Sequence, residues 1–258
     1  MKIAITGKGG VGKTTLSAIL SHLFAMDGKK VIAVDADPDA NLAQALGISQ
    51  SELAKIRPIA DMPELIEERT GAKPGSMGGI FKLNPRVDDL PEEIGYKFDN
   101  IILLVSGKSK SAASGCYCPE NVLLRRLLKH LVLERDEVVI VDMEAGIEHL
   151  TRGTAEAVDA FIVVVEPGQR SIQTANAVKE MAKQLGVKKV FVVANKVRDE
   201  SDRAFLEKHI SDMEILGMIK FDQSIMDADI SGRSPFYSSK DVVNEVIKIK
   251  DRLMTQYS

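Results

Sequence analysis

The chain has no tryptophan, only two cysteines, and aromatic residues at just 5 % of its 258 positions. Two cysteines exclude a disulfide-stapled scaffold. The scarcity of rings predicts a core of Val, Ile, Leu, Ala and Met, with the ten methionines as packing residues rather than ligands. A strong charge bias is also missing. The net charge is −3, from 34 basic and 37 acidic residues that are well mixed, which argues against a nucleic-acid partner. No apolar run is long enough to cross a bilayer. No Pro/Gly/Ser-rich linker and no repeat period interrupts the chain, so a single domain spanning 1–258 is expected. The chain enters an apolar strand at residue 2, leaving no room for a signal peptide, and a cytoplasmic protein is expected.

What is present is an alternation. Apolar, β-branched runs at 2–6, 30–35, 101–106, 137–142, 160–166, 189–195 and 214–219 alternate with helical patterns. Runs this continuously apolar predict strands buried on both faces, hence a three-layer α/β fold with a mostly parallel sheet. Residues 50–100, broken by Pro58, Pro63, Pro74 and Pro85, read as surface excursions, with 91–101 leading into the third run.

The first run leads into GKGGVGKTT, which fits G-x-x-x-x-G-K-[ST] from Gly7 to Thr14. Gly7, Gly9, Gly10 and Gly12 permit a tight turn, so that the backbone N–H groups around Lys8 and Val11 converge on phosphate. Leu16, Ile19, Leu20, Leu23 and Phe24 follow at helical spacing, with Gly28 as a stop. Strand, loop and helix together predict a nucleoside triphosphate site. Lys13 would reach the terminal phosphates, and Thr14, with Thr15 beside it, would hold Mg²⁺ through its hydroxyl. Lys8 is a second lysine that this motif does not require.

Two acidic stretches end strands, where doubly wound sheets place their sites. VDADPDANL puts Asp35, Asp37 and Asp39 at the mouth of the phosphate loop. Asp37 is the choice to orient or deprotonate an attacking water, and a solvated acidic turn is the other reading. EVVIVDMEAG ends an apolar strand on Asp142, which can hold Mg²⁺ through a water. Gly146 beyond it suits a switch.

Both cysteines lie in one short segment, Cys116 and Cys118 of GCYCPENVLLRR. A disulfide between them would close a strained ring. They are either ordinary small residues or a metal-binding pair. Pro119 fits a first helical position before an apolar pattern from Val122 to Leu131, and thiols before a helix N-terminus have lowered pKa values suited to metal. A soft-metal site usually takes four donors, and the four histidines are scattered at 22, 130, 149 and 209. Two copies meeting across a two-fold axis would complete an S₄ site for Zn²⁺ or a comparable soft ion. His149, after the switch, reads as a surface or packing residue before it reads as a reporter on the metal.

KGGVGKTT, with its early lysine, resembles the deviant Walker A ATPases. These P-loop proteins include the MinD/ParA positioning ATPases, the nitrogenase iron protein and metal-insertion ATPases. DADPDAN, VDMEAG and VVANKV extend the likeness along nearly the whole chain. The resemblance implies an ATP-dependent homodimer in which Lys8 reaches the partner's nucleotide. It also implies that Asn195 contacts adenine, with Ile219 and Asp222 near a second base-binding segment whose IKFD lacks the usual proline. GCYCPENVLLR and DMEAGIEHLTRG further resemble the CooC-type ATPases. These imply ATP-driven nickel delivery to carbon monoxide dehydrogenase or acetyl-CoA synthase. The rivals are an iron–sulfur electron-transfer ATPase and a positioning ATPase. The second needs a basic amphipathic membrane anchor, whereas 242–254 reads as a helix docked on the domain.

Overall fold

The computed structural model describes residues 1–74, 82–107, 119–134, 137–144, 158–187, 189–210 and 212–256. Its strands are β1 (Lys2–Gly7), β2 (Val31–Asp35), β3 (Tyr96–Phe98), β4 (Ile101–Val105), β5 (Val138–Asp142), β6 (Ala160–Val165), β7 (Val190–Val197) and β8 (Glu214–Lys220). They form one eight-stranded sheet in the order β3-β4-β2-β5-β1-β6-β7-β8. All pairs are parallel except β3 with β4. The seven apolar runs became seven parallel strands, each within about two residues of its expected bounds.

Both faces of the sheet are covered, and alternation along each strand decides which side chain goes where. Ile3 and Ile5, Val31 and Ala33, and Ile162 and Val164 face one layer. That layer contains α1 (Lys13–Met26), α2 (Leu42–Ala45) and a C-terminal helix, α11 (Lys240–Thr255). Ala4, Ile32, Val34, Val139, Val141 and Phe161 face the opposite layer. There α4 (Pro63–Thr70) and α6 (Pro119–Glu134) pack beside α7 (Gln169–Gln184) and α8 (Glu200–His209). Pro119 opens α6 as its fixed φ favours.

Two expectations need correction. Tyr96–Phe98 is a strand, not a lead-in. It pairs antiparallel with β4 through a tight turn in which Asp99 takes a left-handed φ of 49°, a conformation aspartate tolerates. Residues 50–100 are not merely a surface excursion either. Short α3 (Gln50–Leu53), a 3₁₀ turn at Ile59–Asp61, α4 and α5 (Leu90–Ile94) bury Ile59, Ile66 and Leu90 completely or nearly so against the sheet.

The last elements, α9 (Gln223–Ile230), α10 (Pro235–Ser238) and α11, close the β8 side. Val242, Val246, Ile249 and Leu253 of α11 are buried against the first core layer. Its Lys250 bonds Asp27 just after α1. The apolar stripe of this helix is therefore used inside the fold. Among the described residues, no helix is long and apolar enough to cross a membrane.

Candidate functional site

The strand order reverses at β1, which lies between β5 and β6. A crevice opens there at the carboxyl ends of the strands. The phosphate loop fills the turn from β1 into α1. Gly7 has φ 148°, and a Cβ on it would lie 2.4 Å from the Val164 carbonyl oxygen of β6. Gly12 has φ 97°, and its Cβ would lie 2.1 Å from Asn195 Nδ2. No larger residue fits either place without displacing a neighbour. Val11 is fully buried and pins the middle of the loop, while Gly9 and Gly10 stay exposed.

Lys13 opens α1 and is buried. Its ammonium donates to the Lys8 carbonyl at 3.4 Å and lies 3.9 Å from Asp37 Oδ2. Lys8 is half-buried, and its own ammonium makes no ion pair among the described residues. Thr14, Thr15, Asp37, Asp39, Glu144 and Asn195 share with the loop a cleft of about 780 Å³, a volume within the range of small-molecule sites.

The three aspartates at and after the end of β2 do not crowd the mouth together. Asp35 is fully buried. Its Oδ2 accepts the Leu42 N–H at 2.8 Å and its Oδ1 the Asp37 N–H at 3.3 Å, so it holds the turn into α2. Asp37 and Asp39 face the cleft, and Asp37 Oδ1 accepts the Asp39 N–H at 2.9 Å. Burial is the main reason the Asp35 carboxyl is pushed up to about 6.

Asp142 sits directly across from Asp35 in the β2–β5 register. It is 1 % exposed, and among the described residues neither carboxylate oxygen has a hydrogen-bond partner. Burial, then the charge of Asp35, push it up to about 7, while the nearby Thr14 hydroxyl and Lys13 pull it down. A buried carboxylate with both oxygens unsatisfied, beside a hydroxyl and an ammonium, has a partner to gain.

The sequence and the fold both resemble those of known proteins. The family model of the CobQ/CobB/MinD/ParA nucleotide binding domain matches residues 2–236. The chain belongs to this family of P-loop ATPases, which hydrolyse ATP. The carbon monoxide dehydrogenase accessory protein CooC of Rhodospirillum rubrum is 47 % identical over 234 residues, covering 91 % of this chain and 89 % of that protein. An uncharacterized ATP-binding protein of Methanocaldococcus jannaschii is 47 % identical over 97 % of this chain and 99 % of its own length. Among solved structures, the MinD cell division protein of Aquifex aeolicus superposes with a TM-score of 0.69 at 23 % identity, covering 99 % and 98 % of the two chains. At that identity the likeness is one of fold.

For a MinD/ParA-type ATPase, Mg²⁺ is the expected companion of ATP. The residues present fit it: an orphaned carboxylate at Asp142 and the Thr14 hydroxyl form an oxygen donor set suited to a hard cation. Asn195 is bound to the loop itself. Its Nδ2 donates to the Val11 carbonyl at 2.8 Å, and its Oδ1 accepts the Lys196 N–H at 2.9 Å. Ile219 and Asp222 both border the cleft, yet Ile219 is buried. Asp222 is committed too, accepting from the Ser224 N–H and hydroxyl at the start of α9 and from the Ser239 hydroxyl at the start of α11.

Sequence reasoning overlooked Lys196, which borders the same cleft and donates to the Gly10 carbonyl at 2.6 Å. Its only sequence signal is its place directly after Asn195. Cys116, Cys118, Gly146 and His149 lie outside the described residues. Among the described residues, no group of three or more His, Cys, Asp or Glu is placed to hold a metal ion.

Proposed function

We propose that residues 1–258 form one cytoplasmic ATPase unit that pairs with a second copy when ATP binds and delivers nickel to carbon monoxide dehydrogenase or acetyl-CoA synthase. The observation that carries this reading is the 47 % identity to the accessory protein CooC across nearly the whole domain. The C-x-C pair at Cys116 and Cys118 supports the nature of the cargo.

Each site residue has a role in this reading. Gly7, Gly9, Gly10, Gly12, Val11 and Thr15 shape the cradle for the phosphates. Lys13 leaves its contact with Asp37 to neutralise the terminal phosphates, which frees Asp37 to act. Thr14 and Asp142 would hold Mg²⁺, which would supply countercharge to the phosphate oxygens. Asp37 orients the attacking water and accepts its proton as ADP departs. Lys8, without an ion pair among the described residues, reaches the nucleotide of the partner subunit and stabilises charge there. Asn195 borders the base while gripping the loop. Closure brings four thiolates from two chains around one ion, and hydrolysis relaxes the pair and releases it.

The test is a nickel titration by equilibrium dialysis beside light scattering, with and without Mg-ATP. The expected result is one ion per two chains in wild type, a larger dimer fraction when metal is present, and loss of tight binding when Cys116 and Cys118 are both changed to Ser, since a hydroxyl is a poor ligand for a soft ion. One tightly held ion on a monomer overturns the shared site. A double Ser variant that still matures a nickel client overturns nickel delivery.

A further inference from the structure

Only two non-glycine residues among those described have positive φ, Asp99 and Lys196. Asp99 occupies a hairpin turn, where aspartate is at ease. Lys196 has no such excuse at φ 57°. It sits near the end of β7, where the pairing with β8 slips: three steps from Ala194 to Val197 oppose two from Met218 to Lys220. That is a β-bulge, a device that re-aims a side chain at the cost of local strain.

The bulge aims Lys196 at the phosphate loop. Its ammonium donates to the Gly10 carbonyl at 2.6 Å and lies 3.6 Å from Glu166 Oε2 just past β6. Glu166 is itself anchored, its N–H donating to the buried Ser171 hydroxyl at 3.0 Å. The preceding Asn195 takes the next loop carbonyl, that of Val11. Consecutive residues of β7 thus hold consecutive carbonyls of the loop.

We propose that Lys196 is a positioning residue for ATP hydrolysis, one half of a two-residue clip that pre-sets the phosphate loop. In a trans peptide the carbonyl and the following N–H point in opposite directions. With the Gly10 and Val11 carbonyls held by Lys196 and Asn195, the N–H groups of Val11 and Gly12 are aimed away from the clip. The Val11 N–H has only a 3.4 Å contact with the Lys8 carbonyl, so it is available to phosphate. An ammonium on the Gly10 carbonyl also polarises that peptide and strengthens its N–H as a donor. Without the lysine, nucleotide must order the loop itself, and affinity falls by that amount.

The position separates this role from a merely structural one. A left-handed backbone favours glycine and asparagine, so Lys196→Gly and Lys196→Asn relieve strain while removing the ammonium. Both variants are expected to keep or raise the melting temperature of nucleotide-free protein. Their Kd for Mg-ADP and KM for Mg-ATP are expected to rise about tenfold, the loss of one charge-assisted hydrogen bond, with a much smaller change in kcat. Lys196→Arg, which keeps a cation of similar reach, is expected to bind Mg-ADP more tightly than Lys196→Ala. Wild-type nucleotide affinity in the Gly and Asn variants overturns the proposal. So does a loss of affinity that only tracks a loss of melting temperature, or an Arg variant no better than Ala.

Discussion

Strands β2 and β5 run side by side and end on aspartates in register, Asp35 and Asp142. Both are buried, and burial raises both pKa values. Their surroundings differ in one respect. Two backbone N–H groups close on Asp35, and among the described residues none closes on Asp142. The chain after β2 turns back over its own strand end into α2, so its carboxylate is satisfied within the protein. The Asp142 carboxylate instead faces Thr14 and Lys13 of the phosphate loop. Equal position in the sheet does not make equal roles. Where the neighbouring backbone goes decides which carboxylate is part of the frame and which awaits a ligand.

The comparison breaks most visibly at Asp142. If its orphaned oxygens serve Mg²⁺ through a water, Asp142→Asn lowers ATP hydrolysis about 10–100-fold, the usual cost of removing an outer partner of a metal. The loss is expected to shrink as Mg²⁺ is raised. Steady-state hydrolysis across a Mg²⁺ series checks it, and an Asn variant with wild-type turnover at low Mg²⁺ removes Asp142 from the site.

A second consequence separates stability from activity. The folded pKa of Asp142, about 7, lies above its value of about 4 in an unfolded chain. The folded protein therefore holds more protons than the unfolded chain between those values. Its contribution is favourable below about pH 4 and is lost as pH rises through about 7. Asn does not titrate, so without metal and nucleotide Asp142→Asn gains on wild type as pH rises across that window, at no more than about 1.4 kcal/mol per pH unit. Chemical denaturation at pH 5, 6, 7 and 8 in EDTA checks the slope. A gap that stays constant with pH contradicts the raised pKa.

The two aspartates also mark the limit of what the sequence discloses. Parallel strands were legible because burial on both faces demands unbroken apolar runs such as VIAVD and AFIVVV. The phosphate loop was legible because Gly7 and Gly12 sit where no Cβ fits. β3 escaped because it is a three-residue edge strand carrying the exposed Lys97. Asp35 was misread as a cleft residue because DADPD shows three equivalent acids, and only the turn into α2 sets the first apart. Lys196 was invisible because its aim depends on a one-residue bulge. Local chemistry at a tight turn is written in residue types. Chemistry set by register and bulges is written in pairings that lie far apart in the chain.

The smallest expected effect is at Asp35, and it sharpens the comparison from the satisfied side. Asp35→Ala leaves the buried Leu42 N–H without its acceptor, a loss of about 1–3 kcal/mol. Removing a second buried carboxylate works the other way, because the Asp35 charge is the second cause of the raised pKa of Asp142. The net destabilisation is therefore expected near the low end, about 1 kcal/mol. The pH slope assigned to Asp142 should flatten in the same variant, since its carboxyl titrates lower without that neighbour. The folded fraction should still hydrolyse ATP, because no atom of Asp35 faces the cleft. The two aspartates share one field, so Asp35→Ala and Asp142→Asn combined should depart from additivity. Denaturation of the two single variants and the double variant at pH 7.5 measures that coupling. Strict additivity would mean that the in-register carboxylates do not sense each other, and that the raised pKa of Asp142 comes from burial alone.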